Sequence, residues 1–169
     1  MRNVTFAILC GFSSLALAHG GHHHDSAHHH EMVDYAAQFA AAKPAVGVRV
    51  EQCWVRLLPP TVPSAGYFVI HNDSNEELEL VAGATPSYGH VMLHETIEEN
   101  GMAKMVMADK MVIPAQSMVE FKPGGLHAMF EQPTQALTQG QTMDMELLFS
   151  NQKKVAMSCK VNPANARSY

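Results

Sequence analysis

From residue 46 onward, the apolar side chains of this chain fall on every second position. The clearest case is 154–161, where Val155, Met157, Cys159 and Val161 alternate with Lys154, Ala156, Ser158 and Lys160. A period of two puts one set of side chains on each face of an extended strand. It is not the three-to-four-residue repeat of an amphipathic helix. The start of the stretch has the same period: Val46, Val48 and Val50 alternate with Gly47, Arg49 and Glu51. Further short strands are predicted at 67–70, 78–81, 91–95, 103–107, 117–121 and 143–149, separated by Gly, Pro, Asn and Asp. Asn100-Gly101, between two of them, is a hairpin signal. Eight or so short strands with such turns predict an all-β sandwich or barrel.

The segments before the strands have a different composition. Residues 1–18 carry Arg2, an apolar run and the small-x-small triplet Ala16-Leu17-Ala18, and so predict a cleaved secretory signal. Cys10 follows Leu9 rather than a small residue, which argues against lipid attachment there. No later run is long enough to span a bilayer, so the exported protein is expected to be soluble and periplasmic, meeting membranes only through a partner. Residues 19–45 are expected to form a flexible tail, with a short helix over 32–42 that Pro44 ends. Seven of the 11 histidines lie in this tail: His19, His22, His23, His24, His28, His29 and His30. Such a composition cannot build a packed core, so disorder is expected. The domain is expected over 46–161, with a second tail at 162–169. The formal net charge is −5 and no basic cluster is present, which argues against nucleic-acid partners. A monomer is expected.

Two cysteines remain after cleavage, Cys53 and Cys159. Neither lies in a Cys-x-x-Cys motif. In an oxidising compartment they are expected to pair if the first and last strands are neighbours, the alternative being two buried thiols.

His94, Met105, His127 and Met129 are spaced His-x10-Met-x21-His-x-Met. Thioether sulfur is soft and neutral, so two imidazoles with two thioethers favour Cu(I) over zinc, calcium or magnesium. His127 and Met129 are two apart, so both reach the same face of an extended segment. His94 and Met105 lie on the two arms of the predicted hairpin and are expected to face each other. The segments are expected to converge at one end of the sandwich. Met92, Met102 and Met107 read as packing or hairpin surface ahead of secondary sulfur donors.

The stretch His90-Val-Met-Leu-His, Glu99-Asn-Gly-Met-Ala-Lys-Met and Phe121-Lys-Pro-Gly-Gly-Leu-His-Ala-Met resembles the PCuAC family of periplasmic copper chaperones. That resemblance covers 46–161. It implies a cupredoxin-like Greek-key sandwich holding Cu(I) through His94, Met105, His127 and Met129. It further implies delivery to the dinuclear copper centre of cytochrome c oxidase, through that subunit or a thiol-bearing assembly factor, and no enzymatic activity. The tail histidines are expected to bind Cu(II), with His19 as a new N-terminus chelating through its amine and ring. Three rival readings are a blue-copper protein, a copper enzyme and a sequestration protein without a delivery target. The blue-copper reading needs a Cys thiolate beside the histidines, which the positions of Cys53 and Cys159 do not offer.

Overall fold

The computed structural model describes residues 35–108 and 110–169. The expected signal at 1–18 and the histidines of the tail from His19 to His30 lie outside the described residues. A single short helix among the described residues, α1 (Ala36–Ala41), falls within the expected 32–42 stretch; Ala42 leaves it in extended geometry just before Pro44. No helix among the described residues is long and apolar enough to cross a membrane.

Eleven strands follow: β1 (Lys43–Pro44), β2 (Val48–Arg56), β3 (Ser64–Asn72), β4 (Leu78–Ala84), β5 (Tyr88–Glu99), β6 (Met102–Met107), β7 (Met111–Ile113), β8 (Ser117–Phe121), β9 (Leu126–Pro133), β10 (Thr142–Phe149) and β11 (Lys153–Asn162). Their hydrogen-bonded order is β6-β5-β9-β3-β2-β11-β10-β4-β7, with β1 beside β11 and β8 beside β3. The expected all-β architecture is present. β1, β7 and β9 are additions to the predicted strands: β1 and β7 are too short to display an alternation, and of β9 only 127–129 reads as extended in the sequence. Phe68 and Ile70 of β3, Leu80 of β4, Phe121 of β8, Phe130 of β9 and Leu147 and Phe149 of β10 share one buried core.

A bulge in β2 decides which side chains enter that core. Val50 pairs with Ile70 and Glu51 with Val69, but Trp54 pairs with Tyr67, so β2 carries one extra residue. Gln52 takes it up in left-handed backbone, φ 52°. An inserted residue inverts the facing of everything after it. Val48 and Val50 pack against the core before the bulge; Cys53 and Val55 do so after it. β11 runs parallel to β2, with Lys160 opposite Trp54. Cys159 therefore meets Cys53, and the two form a disulfide with Cα atoms 4.4 Å apart. The expected pairing of first and last long strands is thus present, and the bulge is what aims Cys53 at it.

Gly66 sets how closely β3 approaches β9. A Cβ there would lie 2.6 and 2.7 Å from Cε2 and Cζ of Phe130. Phe130 is fully buried and packs against the Tyr88 ring, 5.2 Å away, so it has little freedom to yield. Gly66→Ala is expected to destabilise the fold by about 1–3 kcal/mol, the usual scale of overpacking. A lower denaturant midpoint with unchanged slope checks this.

Candidate metal centre

β5 and β9 pair antiparallel and present two chemically different faces. Leu93 lies opposite Ala128, and both join the core. Their neighbours point the other way. On that second face His94 lies opposite His127, and Met92 opposite Met129. The two imidazole centroids are 5.9 Å apart. His94 Nδ1 is 2.7 Å from the Met129 sulfur, and His94 Nε2 is 2.9 Å from the sulfur of Met107. His127 is buried, 6% exposed, while His94 and Met129 are half-buried.

Met107 arrives there through the hairpin register. Asn100 and Gly101 both have positive φ, 55° and 76°, as a type I′ two-residue turn requires. Pairing then proceeds outward from Glu99↔Met102 to Thr96↔Met105 and His94↔Met107. The expectation that Met105 faces His94 is therefore corrected. Met105 faces Thr96, two residues nearer the tip and 53% exposed. Counting outward from Asn100-Gly101 would have found Met107. The site also lies on a sheet face rather than at the end of the sandwich, because His94 sits in mid-β5.

The turn before β9 fixes the His127 ring. Lys122 N–H donates to the Leu126 carbonyl at 2.8 Å, and Gly125 N–H to the Lys122 carbonyl at 3.0 Å. The Gly125 carbonyl then accepts from Thr96 N–H at 3.2 Å and from His127 Nδ1 at 2.9 Å. A carbonyl only accepts, so Nδ1 carries the proton and Nε2 keeps its lone pair. This is the outer hydrogen bond that commonly orients a metal-binding histidine.

Burial lowers the His94 pKa, as does the neighbouring His127, while Glu131 opposes the shift. His94 thus stays a neutral donor to lower pH than a free imidazole. The row of rings continues from His127 to Tyr67, 6.5 Å away, and on to Trp54, 4.5 Å further. Arg56 lies over both rings, at 5.8 and 5.3 Å. Desolvation raises the Tyr67 pKa, against the opposing pull of Arg56. Trp54 is buried in this row, outside the main core.

Among the described residues, no three His, Cys, Asp or Glu side chains form a cluster that could hold a metal. The further side-chain donors beside the two imidazoles are thioether sulfurs, which favour soft cations. His71 Nε2 lies 3.2 Å from a Glu51 carboxylate oxygen and Glu99 pairs with Lys104 at 2.9 Å, while His90 lies opposite Glu131 on the face of β5 that carries His94. Glu131 is not singled out by the sequence pattern, and Met107 reads there as packing or hairpin surface ahead of a secondary sulfur donor.

Comparison with known proteins agrees with this architecture. A family described as "Putative lipoprotein LpqE-like" matches residues 48–161. The uncharacterized protein RP573 of Rickettsia prowazekii is 32% identical over 106 residues, 60% of this chain and 59% of that protein. The chain thus spans about six tenths of the length of that curated relative. The PCuAC domain of PmoF2, solved in its apo form, superposes with a TM-score of 0.59 at 18% identity over 73% of this chain and 95% of that domain. The solution structure of CuI-DR1885 from Deinococcus radiodurans superposes with a TM-score of 0.58 at 28% identity over 78% of this chain and 88% of that one. The fold is the cupredoxin-like fold of PCuAC domains.

Proposed function

We propose, on the premise that this chain belongs to the LpqE-like family, that it is an exported copper carrier whose cargo is Cu(I). The observation that carries the reading is the cluster of His94, His127 and Met129 on one sheet face, with His127 Nε2 left free by the Gly125 hydrogen bond. Two neutral imidazoles and neutral thioethers suit a monovalent soft cation. The motif supplies Met105 as the thioether from β6. A partly exposed, uncharged ligand set releases metal by exchange with a competing soft ligand, which fits carriage better than catalysis. The likeness to CuI-DR1885 supports copper as the metal.

The remaining parts of the proposal rest on sequence. The segment 1–18 and the family's lipoprotein description support export to the periplasm. The resemblance to PCuAC chaperones points to the dinuclear copper centre of cytochrome c oxidase, or a thiol-bearing assembly factor, as recipient. The histidines from His19 to His30 add a Cu(II)-binding arm, released by protonation below about pH 6.5. The test of the central reading is the coordination sphere of the Cu(I)-loaded protein, with two nitrogen and two sulfur donors expected.

A further inference from the structure

We propose that Met107 is a copper-binding thioether of this site and shares the β6 sulfur position with Met105. The inference rests on the carrier reading above and changes its ligand set.

Three observations carry it. The first is register. A two-residue turn with positive φ at both positions pins the hairpin, and Met107 comes out directly opposite His94. Bringing Met105 opposite His94 would need a two-residue slip that breaks this turn. Met105 remains a diagonal neighbour, still within reach of a long side chain.

The second is contact. Both ring nitrogens of His94 meet sulfur: Nδ1 meets Met129 at 2.7 Å and Nε2 meets Met107 at 2.9 Å. A neutral imidazole has one N–H, so it donates to only one of them. Whichever tautomer is present, one nitrogen lone pair faces a sulfur lone pair. Two lone-pair donors, one of them a soft thioether, set against each other in this way are an arrangement that a soft cation relieves.

The third is placement. β6 is at one end of the sheet order, and Met107 and Met105 are 49% and 53% exposed. Neither sulfur belongs to the core cluster, so packing does not account for their presence. Met105 and Met107 are two residues apart and share a face of β6. With Met129 they give three thioethers for the two sulfur places of a four-coordinate Cu(I). The surplus thioether allows one sulfur to join before another leaves, so copper can step outward along β6 from Met107 to Met105 without a bare intermediate. No electron or proton moves in that exchange.

The experiment compares Met105→Leu, Met107→Leu and the double variant, each loaded anaerobically with Cu(I). Leucine keeps volume and apolar character on an exposed strand, so the fold is retained. Affinity is read by competition with a chromophoric Cu(I) chelator, and sulfur number by X-ray absorption. Met105→Leu is expected to keep two sulfurs, because Met107 remains. Met107→Leu is expected to weaken binding about tenfold, within the range seen when partners of a metal ligand are removed. The double variant is expected to drop to one sulfur and lose more affinity than either single change. The proposal is overturned if Met107→Leu matches wild type while Met105→Leu alone falls to one sulfur. If wild type itself binds Cu(I) without sulfur, the carrier reading fails as well.

Discussion

Replacing His94 with Ala and Met129 with Leu in one chain is expected to lower Cu(I) affinity about a thousandfold. That is roughly 4 kcal/mol at about 1.4 kcal/mol per decade. The two side chains touch each other and lie on the face of β5 and β9 that turns away from the core. Losing them removes one nitrogen and one sulfur, leaving His127 and the β6 thioethers as donors. The fold should persist, because Leu93, Ala128 and Phe130 still carry the packing of these strands. A chelator competition with a thermal melt on the same sample measures both quantities. An unchanged affinity would remove His94 and Met129 from the site. A collapsed melt would instead give them a structural role.

The second large effect concerns stability. Cys53→Ala with Cys159→Ala is expected to cost about 2–5 kcal/mol. The bond closes a loop with a sequence separation of 106 residues, joins two adjacent parallel strands, and is buried, with Cys53 5% and Cys159 0% exposed. A loop that long gives the upper end of the range, because the cross-link removes much of the freedom of the unfolded chain. A fall of roughly 10–20 °C in melting temperature is expected for a domain of this size. Reduced wild type should fall by a similar amount. Copper affinity should change little, since Cys53 and Cys159 belong to the core cluster whereas His94 lies on the face that turns away from it. A variant melting as wild type does would show that core packing alone sustains the β2–β11 pairing.

Much of this molecule was legible in the residue order. The period-two runs marked most of the long strands, and Asn100-Gly101 marked the hairpin. His127 and Met129 were readable as same-face neighbours from their separation alone. Other features left no such trace. Gln52 carries no bulge signature, yet it inverts β2 and so aims Cys53 at Cys159 and Trp54 at Tyr67. β1 and β7 are too short for a period to register. The Gly125 carbonyl that orients His127 is a backbone group, which composition never displays. The relation of Met107 to His94 was encoded, but in the turn rather than in the motif. Spacing along the chain picks out Met105; pairing across the strands picks out Met107. A motif counts residues in sequence, whereas a donor set is fixed by register.

The central claim is that His94, His127 and thioether sulfurs on one sheet face hold Cu(I). X-ray absorption of the anaerobically loaded protein at one equivalent of Cu(I) tests it most directly. The account predicts a copper edge of the monovalent ion with two nitrogen and two sulfur neighbours, lost in the His94→Ala, Met129→Leu double variant. A sphere of nitrogen and oxygen alone, unchanged in that variant, would contradict it.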